Sequence, residues 1–156
     1  LLALDLDGKG GLLATAGLDG VVHLWNILEK PKKLTTFKPE GGLVRSLCFN
    51  ADGSGLLVCA GESHVSLWDV ESRKEVRHFL GHRQEVWSAQ FSCDPNLIVT
   101  ASADHHVYLF RADSGRMLMS SRVQEGMTGA LAADPQQRLL ACAGADGSLR
   151  AWEFDA

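Results

Sequence analysis

One segment recurs four times along the chain at a nearly constant interval, and this repeat constrains the fold more than any other feature. The four stretches align without gaps and read LLATAGLDGVVHLW, GLLVCAGESHVSLW, LIVTASADHHVYLF and LLACAGADGSLRAW. They begin at residues 12, 55, 97 and 139, and are therefore 43, 42 and 42 residues apart. The last column holds Trp25, Trp68, Phe110 and Trp152, and an acidic column six residues earlier holds Asp19, Glu62, Asp104 and Asp146. Similarity at such a period predicts stacked units that bury a shared core.

The local chemistry of each segment predicts a β-hairpin. An apolar run is followed by a turn such as Asp-Gly, which tolerates positive φ, and then by residues that alternate like those of a half-buried strand. Apolar stretches before and after each segment supply two further strands per unit. The upstream stretches are 1–6, 44–49, 86–91 and 127–133, and the downstream ones are 34–37, 76–79 and 118–121. Four short strands in each unit of about 42 residues predict the blades of an all-β propeller.

The motifs within these units resemble those of the WD-repeat β-propeller family. Gly81-His82 precedes Asp104 in the third unit, and Trp68-Asp69 is a full Trp-Asp pair. The resemblance covers nearly the whole chain and implies WD-type blades of four antiparallel strands, at about 1–40, 41–82, 83–122 and 123–156. It further implies a partial ring of about four blades whose last blade lacks its outer strand. We expect this arc to be the C-terminal part of a seven-bladed propeller that the remainder of the protein completes.

The family resemblance also implies a buried hydrogen-bond network in the third unit, formed by His82, Ser102 and Asp104. Phe110 stands at the Trp position and cannot donate an indole N–H. In the other units the serine column holds Gly17, Ala60 and Gly144, so the turn carboxylates Asp19, Glu62 and Asp146 are expected to bind only backbone N–H groups of their own turns. A Ser, His and Asp set has the composition of a hydrolase triad, but no Gly-x-Ser-x-Gly elbow accompanies it. We therefore expect no enzymatic activity.

Composition excludes several other functions. The net charge of −4 lacks the basic excess of a nucleic-acid-binding surface, and no apolar run reaches the roughly 18 residues that cross a membrane. The four cysteines lie in apolar runs, and their spacing matches no common zinc site, whether they are taken alone or together with His105 and His106. We expect these two histidines to be exposed. The sequence therefore predicts no metal or cofactor. It favours an intracellular location, in cytoplasm or nucleus, where thiols stay reduced.

Propellers of this family bind other proteins on the face where the loops surround the central channel. The contact columns that the resemblance implies contain Trp87, Arg45, Leu43, Glu85, Leu18 and Met127. Trp87 is either such an anchor or an ordinary core residue packed against the next blade, and the sequence leaves both open. The favoured function is a non-enzymatic scaffold within a multiprotein complex.

Two alternative functions remain at this point. One is a substrate receptor of a ubiquitin ligase, although Val70-Glu71 follows Trp68-Asp69 where that class often carries an Arg. The other is a reader of peptide tails, which would need more aromatic residues near the channel than Trp87 alone.

Overall fold

Fifteen β-strands and no helix are found in the computed structural model, which describes residues 2–123, 128–134 and 139–153. The first sheet contains β1 (Ala3–Leu6), β2 (Leu12–Ala16), β3 (Val22–Asn26) and β4 (Lys32–Phe37). The second contains β5 (Val44–Phe49), β6 (Gly55–Ala60), β7 (His64–Asp69) and β8 (Lys74–Phe79). The third contains β9 (Val86–Phe91), β10 (Leu97–Ser102), β11 (His106–Arg111) and β12 (Met117–Arg122). The fourth contains β13 (Thr128–Asp134), β14 (Leu139–Gly144) and β15 (Leu149–Glu153).

Each sheet is an antiparallel meander in which strands adjacent in sequence are paired. The first strand of each sheet contacts the first strand of the next, so that β1, β5, β9 and β13 form the inner side of an arc of blades. The strands β4, β8 and β12 are consequently the outermost. This arrangement confirms the partial all-β propeller. The seven-bladed ring, the C-terminal place of this arc and the blade boundaries stay predictions.

The hydrophobic core lies between successive blades. Three buried clusters occupy the interfaces of the first blade with the second, the second with the third, and the third with the fourth. Because the second blade has a neighbour on both sides, every residue of β6 is buried, which explains its unbroken apolar run. The outer strand β8 is exposed along most of its length and is correspondingly polar.

Polar side chains on the inner strands also join neighbouring blades. The backbone N–H of Phe49 donates to the Asp5 carboxylate at 2.7 Å. In the third blade the Gln90 side chain donates to the carbonyl of Leu131 at 2.8 Å and accepts from the N–H of Ala133 at 3.2 Å. Burial raises the pKa of Asp5, although the hydrogen bond from Phe49 opposes this effect. No helix of the described residues is long and apolar enough to cross a membrane.

Candidate protein-interaction face

The third blade contains a buried polar network centred on His82. The His82 ring lies 2.8 Å from Asp104 through Nδ1 and 2.6 Å from the hydroxyl of Thr100 through Nε2. The expected hydroxyl, that of Ser102, was the wrong one. Ser102 instead donates to the carbonyl of Gln84 at 3.2 Å and accepts from the N–H of Asp104 at 3.1 Å. Thr100 takes the inner position because it precedes Ser102 by two residues on the same face of β10 and faces the His82 ring.

The network has a defined pattern of protons. Burial lowers the pKa of His82 and keeps the ring neutral, although Asp104 acts in the opposite direction. Burial alone would raise the pKa of Asp104, but hydrogen bonds from His82 and from the N–H groups of Arg83 and His106 outweigh it and lower the pKa. The ionised carboxylate therefore accepts from Nδ1–H, and Nε2 accepts the Thr100 hydroxyl proton. Thr100 is wholly buried, so a substrate carbonyl cannot reach this hydroxyl.

The other turn carboxylates differ from one another. Asp19 accepts a hydrogen bond from the N–H of Val21 at 3.2 Å, and Asp146 accepts one from the N–H of Ser148 at 2.9 Å. Glu62 was expected to bind its turn in the same way, and this was wrong. The Glu62 side chain is exposed and makes no hydrogen bond within the described residues. The turn between β6 and β7 is shorter than that between β2 and β3, because pairing extends to Ala60 and His64. The side chain of Glu62 is also longer than that of the Asp in the other turns.

His105 and His106 are half-buried rather than exposed, which corrects a second expectation. His105 has a φ of 66° at the turn position where Gly20 has a φ of 70°, so an imidazole here replaces a glycine. The His106 ring lies 2.8 Å from the backbone carbonyl of Asp104.

All four cysteines are free thiols. Burial raises the pKa of Cys48 to about 11, so this thiol is a poor nucleophile.

We call upper face the edge of the blades at which β2, β6, β10 and β14 end and the next turns begin. Here the structure brings together three of the residues that the sequence singled out, Arg45, Glu85 and Trp87. The Arg45 guanidinium lies over the Trp87 ring, 4.3 Å from its centroid, and forms a salt bridge with Glu85. Arg45 belongs to the second blade and the other two to the third. We call these three residues the upper-face cluster.

A β-bulge at the start of β5 and another at the start of β9 position this cluster. Arg45 is the unpaired residue between Val44 and Ser46, which both pair with β6. Trp87 occupies the same place between Val86 and Ser88 in the third blade. A bulge bends the strand and redirects the extra side chain, so these two residues lean toward one another instead of alternating into the blade interface. The sequence spacing identified both columns, but it could not show the bulge or the Arg45–Trp87 contact.

Trp87 is half-buried and belongs to none of the three core clusters of the described residues. It borders a cavity of about 290 Å³, whose other walls are small residues of the fourth blade: Gly129, Ala130, Ala143, Gly144 and Ala145. The buried indole N–H has no hydrogen-bond acceptor among the described residues. Trp87 is therefore not fixed by the packing that forms the core.

The remaining interaction candidates lie around this cluster or outside the described residues. Leu43 is half-buried, and its carbonyl accepts a hydrogen bond from the N–H of Gly61 at 2.9 Å. Leu18 is 77% exposed in the first turn of the upper face. Met127 lies outside the described residues.

Comparison with known proteins gives relatives of the same repeat type. The chain is 27% identical over 150 residues to Pre-mRNA-processing factor 17 from Homo sapiens, covering 94% of this chain and 26% of that protein. It is 23% identical over 177 residues to Protein hir1 from Emericella nidulans, covering 96% of this chain and 17% of that protein. It is 27% identical over 113 residues to a WD repeat-containing protein 91 homolog from Dictyostelium discoideum, covering 68% of this chain and 14% of that protein. The chain thus spans about a quarter or less of the length of these relatives.

The family description that matches is "WD domain, G-beta repeat", and it matches residues 1–26, 31–69 and 73–111. The matched residues include the first three repeat segments through Trp25, Trp68 and Phe110. They comprise about two thirds of the chain and contain β1 to β11, which are the first two blades and three of the four strands of the third. The chain therefore belongs to the WD40 repeat family.

Proposed function

We propose that this chain is a non-enzymatic scaffold that holds a partner protein within a multiprotein complex through the upper-face cluster. WD-repeat proteins generally act in this way, and the specific role rests on one observation. Arg45, Glu85 and Trp87 are assembled across a blade boundary without being needed by the fold. The first and fourth blades have Leu2 and Gly129 at the positions of Arg45 and Trp87, which shows that the repeat accepts other residues there.

The chemistry of the upper-face cluster suits recognition of a protein. Trp and Arg dominate the energetic centres of protein interfaces, where truncation of one such side chain costs at least about 2 kcal/mol. The contact between the Arg45 guanidinium and Trp87 contributes roughly 0.5–2 kcal/mol and holds both side chains in one conformation. Less conformational entropy is then lost on binding. Leu43 nearby adds apolar surface.

The alternative functions receive less support from this geometry. A reader of methylated peptide tails encloses the ligand cation in an aromatic cage. Here the face of Trp87 is already covered by Arg45, which a ligand cation would have to displace. The ubiquitin-ligase receptor has no further observation in its favour. The absence of a basic excess also speaks against nucleic acid as the partner.

The test is affinity purification of the intact protein from cells, comparing wild type with an Arg45→Ala/Trp87→Ala double variant. We expect the double variant to lose at least one stoichiometric partner while its thermal transition, followed by circular dichroism, stays close to that of wild type. A matched control is Val76→Ala/Arg116→Ala, which removes exposed side chains from the outer side of the blades. A partner set that is the same in all three proteins would contradict the proposal.

We also infer that further blades of the same propeller cover the free side of the first blade. Leu4 and Leu6 on β1 are 57% and 50% exposed, whereas their equivalents Leu47 and Phe49 on β5 are 7% and 6% exposed. Unlike β1, β5 has a preceding blade packed on it. Burying Leu4 and Leu6 to the same extent would contribute roughly 1–2 kcal/mol each.

Light scattering of the isolated 156 residues tests this inference. The exposed apolar side of the first blade should cause self-association that a Leu4→Lys/Leu6→Lys variant reduces. A wild-type segment that stays monomeric at high concentration and melts in one sharp transition would argue against missing blades.

We include an intracellular location in the proposal because all four cysteines are free thiols.

A further inference from the structure

We propose that the outer strand pair of the second blade binds one Zn²⁺ ion through His64, Glu75 and His78. One potential ligand atom from each of the three side chains lies within 4.8 Å of those of the other two. Two imidazoles and one carboxylate are a common zinc donor set, with a solvent molecule as the fourth ligand. Nothing in the WD-type fold requires this combination, as the other blades show.

The pairing of β7 with β8 explains why His64, Glu75 and His78 lie close together. On β7, His64, Ser66 and Trp68 alternate onto one face, where the Trp68 indole donates to the Ser66 hydroxyl at 2.8 Å. His78 pairs with Ser66, and Glu75 pairs with Trp68. Glu75 and His78 would point to opposite faces of a regular strand, because they are three residues apart. A β-bulge between these pairs adds one residue and places both on the face of His64.

The contacts within the cluster leave the ligand atoms available. Nε2 of His64 is shielded from solvent and has no hydrogen-bond partner among the described residues. Its nearest carboxylate oxygen, on Glu75, is 3.9 Å away, which is too far for a hydrogen bond. The His64 and His78 rings are 3.9 Å apart between centroids. A buried imidazole nitrogen without a partner is costly to the fold, and a bound metal ion would satisfy it.

Small side-chain movements would complete the site. Zinc bonds to imidazole and carboxylate are about 2.0–2.2 Å long, so tetrahedral ligand atoms lie roughly 3.4 Å apart. The carboxyl side chain of Glu75 is 30% exposed and can rotate toward the two imidazoles. Solvent also reaches the ion from this side and supplies the fourth ligand.

The other blades provide an internal comparison for these three positions. The equivalent residues are Val21, Lys33 and Thr36 in the first blade, and His106, Met117 and Ser120 in the third. Both of these blades have the same bulge in their outer pair and form the same sheet. The three ligand-type residues of the second blade are therefore not required for blade formation. The coincidence of all three on one face of one outer strand pair favours a metal-binding role.

The test is isothermal titration calorimetry of zinc chloride into the intact, metal-free protein near pH 7.5. We expect one Zn²⁺ per chain, and a His64→Gln/His78→Gln variant should bind at least about tenfold more weakly, a loss that even an outer-shell partner of a metal ligand can cause. His23→Gln/His105→Gln is the matched control, because it removes two half-buried histidines outside the cluster and should bind like wild type.

Loss of zinc binding must be distinguished from loss of folding in the double variant. Circular dichroism without zinc shows whether each variant is folded. If the double variant is unfolded, Glu75→Gln replaces a carboxylate at an exposed position with an isosteric amide and should weaken zinc binding on its own. Absence of saturable binding to wild type, or equal binding by wild type and the cluster variants, would overturn the proposal. Histidine side-chain nitrogen signals that shift on zinc addition should be those of His64 and His78.

Discussion

The second and third blades share strand order, yet they close their upper ends by different means. In the third blade, His82 lies between Asp104 and Thr100, and the Asp104 carboxylate also accepts the N–H of Arg83 at 3.1 Å. These bonds tie the loop before β9 to the turn after β10. In the second blade the His column holds Glu40, and Val58 and Glu62 stand where the third blade has Thr100 and Asp104. No side-chain network can form from these residues.

The second blade brings the same two loops together through its backbone. The N–H of Gly61 donates to the carbonyl of Leu43 at 2.9 Å, and a Cβ on Gly61 would lie only 2.4 Å from the carbonyl oxygen of Gly41. Such an approach is open only to glycine. The third blade has the equivalent backbone bond, from the N–H of Ala103 to the carbonyl of Glu85 at 2.8 Å, and adds the His82 side chain as a second link. Both blades therefore share this backbone bond, and they differ in what accompanies it: a close approach of two glycines in the second blade and a polar side-chain network in the third.

The largest effect is expected from breaking the network at its centre with Asp104→Ala. This change removes the acceptor of three hydrogen bonds, from His82, Arg83 and His106, and leaves the buried Nδ1–H of His82 without a partner. We expect the free energy of unfolding to fall by about 3 kcal/mol, as when one member of a buried pair is removed. Urea unfolding of the intact protein measures this. Glu62→Ala is the matched change in the second blade and should cost less than about 0.5 kcal/mol. Equal losses in both blades would refute the comparison.

The converse change, Gly61→Ala, should destabilise the second blade by roughly 2–3 kcal/mol. Gly61 has a φ of 59°, and the added methyl group would meet the Gly41 carbonyl at 2.4 Å, so strain and a backbone clash act together. Chemical denaturation again provides the measurement. The control is Ala103→Gly in the third blade, where only about 1 kcal/mol should be lost, because glycine keeps the N–H that donates to Glu85 and adds only backbone freedom to the unfolded chain. A tolerated Gly61→Ala would mean that the Gly41 loop moves freely.

Removing only the hydroxyl that faces His82 should have a smaller effect. Thr100→Val preserves shape in a fully buried position and leaves Nε2 of His82 without its donor, which should cost about 1–2 kcal/mol. The reverse change, Val58→Thr, places a hydroxyl in the second blade where no histidine faces it, and should also destabilise. Stability measured for both variants tests whether the hydroxyl is useful only beside His82. If Val58→Thr instead raised the free energy of unfolding, the second blade would have to offer a hydrogen-bond partner to the new hydroxyl.

These two blades also indicate how far the sequence could be read. The repeat period, the turn residues and the apolar runs predicted every described strand, because blade packing depends on local periodicity. The family pattern placed His82 and Asp104 correctly but chose Ser102 over Thr100. Both hydroxyls lie on one face of β10, and only the ring position of His82 decides between them. The Arg45–Trp87 contact and the His64–Glu75–His78 cluster depend on bulges, which insert one residue and are not visible in a pattern of period two.

The smallest expected effect concerns the dependence of stability on pH. Burial lowers the pKa of His82 below its unfolded value of about 6.5, so between these two values the unfolded chain binds more protons than the folded one. The contribution of His82 is therefore fully present above about pH 6.5 and is lost as the pH falls through that window. The pKa of Asp104 is also lowered, so its contribution is lost only below about pH 4 and stays constant from pH 7 to 5.

Stability measured from pH 7 to 5 should therefore decline less steeply in His82→Gln than in wild type. Burial lowers the pKa of His78 in the second blade as well, so His78→Gln should also flatten the curve. The two variants differ in stability at pH 7, because only His82 connects a carboxylate to a buried hydroxyl and its loss removes both bonds. A pH dependence unchanged by His82→Gln would mean that the ring titrates alike in both states, and that burial of the network is incomplete in solution.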